Sequence, residues 1–519
     1  MSDEMIMPVR STGGGFILGK YTFRIPDHPI SAGEIKETAT ADVIVVGAGA
    51  SGQAAALSAA QAGASVIQID RHTTFRWGGG MVGAIDTKIQ KNSGVKIDKD
   101  EVCLQLMRWC GNKPDQRLYR IWCEHSGPVL DWLAEMTDAE GIQTVLLQWP
   151  RPAGWDMKTE YYPDYPVAFR HFDGVNKPLN HSLALNCVQR QSIKAGVEIR
   201  YQTRALQLVR QSNGRVTSVI ALDKAGNFVQ FNARKAIVLC TGDYGNNPWM
   251  MQKWCEPSAE LSLRHNIYMT RNQDLLDAPE PLNVGDGHQM AMRIGAVMEP
   301  GPHAPVSHAT VAASGANAFL RVNIDGERYE NEDVPAQSQA NSIARQPGKR
   351  VWQVFDGEWE KEIPKMGVGL GTFYAVNDVV RASVQTNTLK ADTLKELARK
   401  MDVPYEKFQA TIDRNNELAR MGKDLDYGKR ADRLFPVSKP PFYAGIVEQH
   451  ILVVLGGLNT NTRFQPLDKD RQVIPGLYLA GNLVGNRFAV DYPTLAAGLT
   501  HGFAWVTGRL TGQYAAAEK

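Results

Sequence analysis

Three glycines near the start of the chain have the spacing of a turn that binds dinucleotides. Gly47, Gly49 and Gly52 follow Val43 to Val46, a wholly apolar run that suits a strand buried on both faces of a parallel sheet. In such a turn the first glycine permits a tight bend, the second lets the backbone approach a pyrophosphate, and the third lets a helix pack on the strand. The spacing therefore predicts that this segment binds an adenine dinucleotide.

The segments after the turn have the order that this motif requires. Gln53 to Ala62 is rich in alanine and predicts a helix that ends at Gly63, and Ser65 to Ile69 predicts a second buried strand. Asp70 follows that strand, where an acid binds ribose hydroxyls in folds of this type. Strand, turn, helix, strand and acid together predict a dinucleotide-binding unit without saying which dinucleotide it binds.

The composition bounds the class of protein. The chain has 519 residues, 43% of them hydrophobic and 22% charged, and 57 Lys and Arg balance 55 Asp and Glu. A chain of this length predicts at least two domains, and the charge balance argues against a nucleic-acid or membrane-surface role. No run approaches the roughly 20 apolar residues of a membrane span, and the acidic N-terminus lacks a signal-peptide pattern, so we expect a cytoplasmic protein.

The cysteines lack the spacing of redox or metal motifs. Six are present, without a C-x-x-C pair, at Cys103, Cys110, Cys123, Cys187, Cys240 and Cys255. This pattern predicts neither covalent haem, nor an iron–sulfur cluster, nor a thioredoxin-like pair. We expect buried reduced thiols, no metal, and redox chemistry carried by one organic cofactor.

Periodicity predicts the elements that position the turn. Residues 98–150 and 180–195 have helical patterns, whereas the Pro-, Trp- and Tyr-rich stretch 151–166 is loop-like and a candidate pocket wall. Alternating apolar residues predict a three-stranded meander followed by a separate buried strand, at Ala205 to Val209, Val216 to Asp223, Phe228 to Phe231 and Ala236 to Cys240. A last helix is predicted from about Leu495 to Tyr514.

Further motifs follow in one order along the chain: Thr241-Gly242, Gly285-Asp-Gly287, Gly326-Glu-Arg-Tyr-Glu-Asn-Glu332, Pro440-Pro-Phe-Tyr-Ala444 and Gly476-Leu-Tyr-Leu-Ala-Gly-Asn482. With the glycine turn, they resemble the FAD flavoproteins that include soluble fumarate reductases, urocanate reductases and ketosteroid dehydrogenases. The likeness runs from Ala41 to the C-terminus. It implies an α/β fold, with a doubly wound FAD-binding domain of the glutathione-reductase type and an inserted α+β cap.

The resemblance also implies a domain plan and a set of FAD contacts. We expect an N-terminal arm at 1–40, the FAD-binding domain at 41–299 and 453–519, and a substrate cap at 300–452. The late strand and the last helix can bring amides to the flavin's pyrimidine edge, where reduction develops negative charge. The implied FAD-binding residues are Gly47, Gly49, Ala50, Ser51, Gly52, Asp70, Arg71, Gly79, Gly80, Ala205, Thr241, Gly242, Asp286, Gly481, Asn482, Leu499 and Thr500.

One histidine raises the question of covalent attachment. His72-Thr73, followed by Gly78-Gly79, resembles the site at which some flavoproteins attach the isoalloxazine. The alternative is a solvent-side loop histidine, and we favour it because matches this short often arise by chance. Non-covalent FAD is therefore expected.

Departures from fumarate reductases indicate another substrate. Their proton-delivering arginine aligns with about Ala336, and their histidine before Gly-Gly is replaced within Leu452 to Leu455. Their carboxylate-clamping arginine has no counterpart within Asp491 to Gly498. Two buried carboxylates need fixed positive charge, so fumarate and succinate are poor candidates.

Tyr492-Pro493 resembles instead the pair with which ketosteroid dehydrogenases polarise a substrate carbonyl beside the flavin. Tyr492 is the expected acid and His303 a helper, and the alternatives are a packed tyrosine and a hydrogen-bonded loop histidine. This predicts an FAD-dependent reductase or dehydrogenase of an apolar ring compound such as a steroid or an isoflavonoid. Reductases of plant polyphenols, such as the tetrahydrodaidzein reductases, fit the same loss of a dicarboxylate site.

Two further possibilities stay open at the level of the sequence. The chain could act on another unsaturated carbonyl compound, or it could be the flavin-carrying electron-transfer subunit of a complex. A single glycine motif leaves no second nicotinamide domain. Electrons then come from transiently bound NAD(P)H, from free reduced flavin or from an electron-donor protein.

Overall fold

The computed structural model describes residues 4–10, 16–22, 25–26, 28–76, 79–147, 162–174, 181–261, 282–310, 315–372 and 376–519. It divides the chain into two compact units. The first comprises Met1–Leu147, Pro166–Pro305 and Val453–Lys519, and the second comprises Gln148–Tyr165 and Val306–Leu452. The stretch 151–166, a candidate pocket wall, lies mostly outside the described residues.

A seven-stranded sheet forms the centre of the first unit. Its strands lie in the order Glu198–Arg200, Val66–Ile69, Ile35–Val46, Phe228–Leu239, Val216–Leu222, Arg204–Arg210, and Leu477–Leu479 also pairs with Phe228–Leu239. The first four strands and Leu477–Leu479 are parallel, whereas the meander pairs antiparallel. The strand near the C-terminus thus completes a sheet that begins near the N-terminus.

Two strands are longer than the sequence predicts. Phe228–Leu239 is one strand rather than two, and Ile35–Val46 begins inside the segment expected to be an arm. The two strands pair along their whole length, with a register shift between Ala233 and Ala236. The polar Arg234 and Lys235 lie at this shift and obscure the pattern, whereas the paired residues on either side of them continue the strand.

Two helices cover one face of this sheet. Ala50–Gln61 and Leu499–Ala517 pack together, and their alanines join the strands in one buried cluster. Gly508 and Gly512 allow this close approach, because a Cβ at either would lie 2.3 Å from the carbonyl oxygen of Ser51 or Ala55, respectively. The helix that follows the glycine turn and the last helix therefore pack directly on each other.

The remaining elements of the first unit flank this core. Its other helices are Lys88–Asn92, Lys99–Trp109, Gln116–Asp138, Ser182–Lys194, Pro248–Trp254 and Asp286–Arg293. Its other strands are Glu4–Arg10 and Phe16–Thr22, which pair with each other, and Val82–Gly83, Ala168–Phe172 and Gln143–Leu146, which form a small sheet. All six cysteines are buried free thiols, which confirms that expectation.

The second unit has its own sheet and core. Its larger sheet has the order Pro305–Thr310, Phe442–Val454, Arg350–Phe355, Leu320–Asn323, with Thr388–Ala391 also pairing with Phe442–Val454, and a smaller one pairs Gly315–Asn317 with Gly367–Thr372. Its helices are Ala336–Ile343, Trp359–Glu362, Asp378–Asn387, Leu394–Met401 and Tyr405–Met421. In the described part of the chain, no helix is long and apolar enough to cross a membrane.

Substitution of Gly508 or Gly512 by alanine tests the helix contact. Alanine normally stabilises a helix relative to glycine, but here the added methyl meets backbone, and overpacking costs about 1–3 kcal/mol. We expect each variant to unfold about 2 °C or more below the wild type in a thermal melt. Gly33→Ala is the control, because nothing lies within 4 Å of its added Cβ. Melting temperatures at or above that of the control would contradict the contact.

Candidate active site

The glycine turn has one packed side and one open side. Gly47 has φ +110°, and a Cβ there would lie 2.3 Å from the carbonyl oxygen of Cys240; at Gly52 it would lie 2.0 Å from the carbonyl oxygen of Gly47. Gly49 precedes the helix Ala50–Gln61, and a Cβ added there would lie 3.7 Å from its nearest neighbour, the carbonyl oxygen of Arg76. Among the described residues, little approaches the α-carbon of Gly49, so a pyrophosphate can come close to the backbone amides at the start of this helix.

Asp70, which follows the second strand, accepts hydrogen bonds from two backbone amides, one of them in the glycine turn. Its Oδ2 accepts a hydrogen bond from the amide of Ala48 at 2.7 Å, and its Oδ1 accepts one from the amide of His72 at 2.9 Å. Burial raises the pKa of Asp70 against the effect of these amides. The carboxylate retains lone pairs for ribose hydroxyls. His72 is half-buried rather than solvent-side, and burial lowers its pKa to about 3.

Several of the residues that are predicted to bind FAD lie around Asp286. Its carboxylate binds Arg71 Nη1 at 2.9 Å and Arg204 Nη2 at 3.0 Å. Burial raises the pKa of Asp286, but these guanidiniums outweigh it and hold the pKa below its ordinary value. Thr241 Oγ1 accepts a hydrogen bond from the amide of Gly287 at 3.1 Å, which ties the Thr241-Gly242 turn to the same helix start. Ala205 follows Arg204 on its strand.

The two ends of the chain meet beside the glycine turn. A Cβ at Gly481 would lie 2.7 Å from Ser51 Oγ, and the Gly481 amide donates to Thr507 Oγ1 at 2.9 Å. Gly498 precedes the last helix, and its carbonyl accepts from the amide of Gly83 at 2.8 Å. Leu499 and Thr500 therefore begin this helix next to the strand Val82–Gly83.

The loop that contains Gly79 and Gly80 contacts the same helix. A Cβ at Gly79 would lie 2.9 Å from His501 Cε1, so this loop passes directly over the first turn of the last helix. Gly80, which follows it, is half-buried. The structure thus places the Gly79 loop at the start of Leu499–Ala517, and the Gly47–Gly52 turn and Gly481 beside Thr507 and Gly508 in the middle of the same helix.

Tyr492 precedes the last helix, and its side chain lies beside the first residues of that helix. It is 4% exposed, and its ring lies 5.5 Å from that of Phe488. Burial raises the pKa of Tyr492, whereas Thr500 and the backbone amides of Thr500 and Leu499 act to lower it. A buried phenol beside a helix N-terminus can donate a proton or hydrogen bond and tolerate the charge that results.

Arg487 is a candidate functional residue that the sequence motifs did not indicate. It is fully buried, and burial lowers its pKa to about 10. Its Nε donates to the carbonyl of Val484 at 2.7 Å and its Nη2 to Asn482 Oδ1 at 3.2 Å, but Nη1 has no partner among the described residues. A buried cation with a free N–H is costly unless a ligand satisfies it. The available signal was a single arginine in the otherwise uncharged stretch 481–490.

Aromatic rings surround this guanidinium. Its Cζ lies 5.0 Å from the centroid of Phe488 and 5.5 Å from that of Phe503. Tyr119 and Tyr492 also act electrostatically on Arg487. Phe503 lies 6.0 Å from Tyr119 between ring centroids. Cation–π contacts of this kind partly compensate for lost hydration while leaving an N–H available.

His303 is held by protein groups on both ring nitrogens. Nε2 lies 3.0 Å from the carbonyl oxygen of Glu299, so it carries the proton, and Nδ1 then accepts from the Tyr244 hydroxyl at 2.5 Å. The residue is 3% exposed, and burial lowers its pKa, which keeps it neutral. His303 thus packs in a satisfied network, and a role as helper through direct contact remains a prediction.

Residues 42–498 match a protein-family model described as an FAD binding domain. The chain belongs to this family. It is 29% identical over 513 residues to the vinyl phenol reductase of Lactiplantibacillus plantarum, which covers 92% of this chain and 96% of the relative. It is 27% identical to a probable fumarate reductase of Shewanella frigidimarina, over 86% of this chain and 70% of the relative.

Solved structures show the same fold. A 3-ketosteroid-Δ4-(5α)-dehydrogenase from Rhodococcus jostii RHA1, in complex with 4-androstene-3,17-dione, superimposes with a TM-score of 0.71 at 23% identity. The match covers 94% of this chain and 99% of that one. The resemblance to fumarate reductases and ketosteroid dehydrogenases and the α/β FAD-binding fold are confirmed. The protein is an FAD-dependent oxidoreductase.

The described residues fit FAD, and Asp70→Asn tests the fit. The open side of the glycine turn, the Asp70 carboxylate and the helix start at Asp286 present the groups that a dinucleotide needs. An amide at position 70 cannot accept from the amides of both Ala48 and His72 as a carboxylate does. We expect about tenfold weaker FAD binding in a titration of the apoprotein, since hydrogen bonds to charged groups contribute about 1.5–3 kcal/mol.

The exposed Glu135 supplies the matched control, because its ion pair with Lys88 lies on the surface. FAD affinity should be unchanged in Glu135→Gln. Equal affinity of the Asp70→Asn and Glu135→Gln proteins for FAD would show that Asp70 does not serve the cofactor.

Proposed function

We propose that this enzyme reduces, or in reverse forms, a carbon–carbon double bond conjugated to an oxygen-bearing ring. The observation that carries the proposal is the pair of buried donors, Tyr492 and the free Nη1 of Arg487, packed around Phe488. When bound, FAD supplies hydride transfer at its N5 atom. Arg487 stabilises the negative charge that develops on the substrate oxygen, and Tyr492 supplies the proton or the polarising hydrogen bond.

The surroundings of these donors favour an apolar ring over a dicarboxylate. Tyr119, Phe488 and Phe503 present aromatic surface beside Arg487. Arg487 supplies a single positive charge, which matches one developing oxyanion, whereas fumarate brings two carboxylates into the site. A vinyl phenol or a 3-ketosteroid carries a single oxygen conjugated to the reacting carbons, and an isoflavonoid carries a single carbonyl oxygen in that position. The named activities of the vinyl phenol reductase and the ketosteroid dehydrogenase agree with this class.

The proposal includes the organisation expected from the sequence. FAD is bound non-covalently by residues 41–299 and 453–519, residues 300–452 supply the substrate domain, and the enzyme acts in the cytoplasm. NAD(P)H, free reduced flavin or a donor protein supplies the electrons. A flavin-carrying electron-transfer subunit is the alternative, and it differs in one respect: it would need a partner before any organic acceptor could reoxidise its flavin.

An anaerobic acceptor panel separates these functions. The purified protein is reduced with dithionite, and flavin absorbance is followed after addition of 4-vinylphenol, 4-androstene-3,17-dione or fumarate. We expect reoxidation by a ring compound at least about tenfold faster than by fumarate, because that oxygen matches one free donor. The saturated 4-ethylphenol is the control and should leave the flavin reduced. Fast reoxidation by fumarate, or by none of the three, would contradict the proposal.

The role of Tyr492 is tested with the best acceptor of that panel. Tyr492→Phe removes the proton donor while retaining the ring, so reoxidation should slow by about 100-fold, the range of general acid catalysis. FAD content should stay equal to that of the wild type. Tyr514→Phe is the control and should react at the normal rate, because Tyr514 lies near the other end of the last helix, with its ring 6.4 Å from that of Tyr478. Near-normal reoxidation of Tyr492→Phe would remove this residue from the mechanism.

A further inference from the structure

Glu299 joins two segments that approach Arg487. It is 3% exposed, and its Oε1 accepts from the amide of Gly457 at 2.9 Å while its Oε2 accepts from the amide of Asn486 at 2.8 Å. Its own amide donates to the carbonyl of Gly457 at 2.9 Å. One side chain therefore holds the Gly456-Gly457 segment against the segment that ends in Arg487.

The two segments leave little freedom around this contact. A Cβ at Gly457 would lie 2.6 Å from the amide nitrogen of Gly485, and one at Gly485 would lie 2.7 Å from the carbonyl oxygen of Gly457. Asn486 has φ +57°, and its side-chain Nδ2 donates to Asn459 Oδ1 at 2.7 Å. The backbone that enters Arg487 is thus fixed on both sides, and Glu299 is the charged group that fixes it.

Glu299 and Arg487 also influence each other's pKa through their charges. The carboxylate raises the pKa of Arg487 against the effect of burial, and the guanidinium lowers the pKa of Glu299. Burial nevertheless raises the pKa of Glu299 to about 7. The other titratable groups that face this pair are Tyr244 and His303 beside Glu299, and Tyr119, His288 and Tyr492 beside Arg487.

We propose that Glu299 is the positioning residue of the Arg487 site and makes the binding of anionic ligands there depend on pH. Its carboxylate fixes the backbone of Arg487 and partly neutralises the guanidinium. Protonation of Glu299 leaves the cation uncompensated and so strengthens its attraction for an oxyanion. This role rests on the proposed function, in which Arg487 receives a substrate oxygen.

The direction of the pH dependence follows from linkage. An anion at Arg487 disfavours the Glu299 carboxylate and therefore raises its affinity for a proton. Anion binding must then become tighter as pH falls through about 7, the pKa of Glu299, and weaker as pH rises. A neutral ligand of the same shape gains nothing from the proton. Glutamine at position 299 resembles the protonated acid, because it too can accept from only one of the two amides.

Benzoate is a suitable probe, because its carboxylate stays ionised throughout the relevant range. Its dissociation constant for the FAD-loaded protein is measured from flavin absorbance between about pH 6 and about pH 8.5, with benzamide as the neutral control. We expect benzoate to bind at least about fivefold more tightly at the lower pH, a normal size for coupling between sites. Benzamide affinity should not change, and in Glu299→Gln benzoate should bind tightly at every pH.

Asp243→Asn is the matched control, because this buried carboxyl also has a pKa of about 7 but lies outside the groups that act on Arg487. It should retain the wild-type pH dependence. Persistence of the wild-type slope in Glu299→Gln would overturn the proposal. Calorimetry in two buffers of different ionisation enthalpy tests it without a variant: benzoate binding near pH 7 should take up protons, and absence of uptake would overturn it.

A separate variant tests whether Arg487 forms the oxyanion site at all. Arg487→Met should abolish benzoate binding while leaving benzamide binding measurable. Benzoate affinity that is unchanged in Arg487→Met would contradict the oxyanion site and, with it, the role of Glu299. Loss of benzoate binding in Arg487→Met together with a flat pH profile in the wild type would retain Arg487 and reject Glu299 alone.

Discussion

The close packing of Ala50–Gln61 against Leu499–Ala517 is the contact on which the rest of the first unit depends. At Gly508 and Gly512 the last helix approaches the carbonyl oxygens of Ser51 and Ala55 so closely that no Cβ fits. Dispersion and burial at this contact bring together segments separated by more than 400 residues. The glycine turn and the Gly481 segment then lie against the middle of the last helix, and the Gly79 and Gly83 segments lie against its start. These segments line one corner of the unit, where a cofactor that needs them can bind.

The same corner contains an electrostatic cost. Burying a guanidinium costs several kcal/mol unless its N–H groups and its charge find partners. Part of that cost is offset at Arg487 by two hydrogen bonds, to the carbonyl oxygen of Val484 and to the side-chain oxygen of Asn482. Two phenylalanine faces and the negative charge of Glu299 offset a further part. A hydrogen-bond donor that stays free in a fully buried position is what a site for a developing oxyanion requires.

Local sequence patterns predicted most of the FAD-binding fold. The turn at Gly47, the acid at Asp70, the meander and the last helix follow from periodicity, glycine spacing and caps, which act over a few residues. The single strand from Phe228 to Leu239 could not be predicted locally, because the polar Arg234 and Lys235 interrupt its apolar pattern. It is continued by the pairing of the residues on either side of them with Ile35–Val46. Tertiary pairing overrode the local pattern there.

The candidate site was less predictable than the fold for the same reason. Tyr492 was found through a motif, but Arg487 acquires its meaning from burial by residues that are distant in sequence, such as Tyr119 and Phe503. His303 shows the opposite case: a histidine with a suitable position along the chain has both ring nitrogens occupied by Tyr244 and Glu299. Hydrogen-bond satisfaction is a property of the folded chain, and sequence spacing does not contain it.

The central claim is that a buried, partly free cation at Arg487 stabilises negative charge on a ligand oxygen. The most direct measurement is the ionisation of a chromophoric phenol, such as 4-cyanophenol, bound to the FAD-loaded protein and followed by ultraviolet difference absorbance against pH. The account predicts that the bound phenol ionises at a lower pH than the free phenol, and that Arg487→Met removes this shift. A bound phenol that ionises at the same pH as the free one, or at a higher pH, would contradict it.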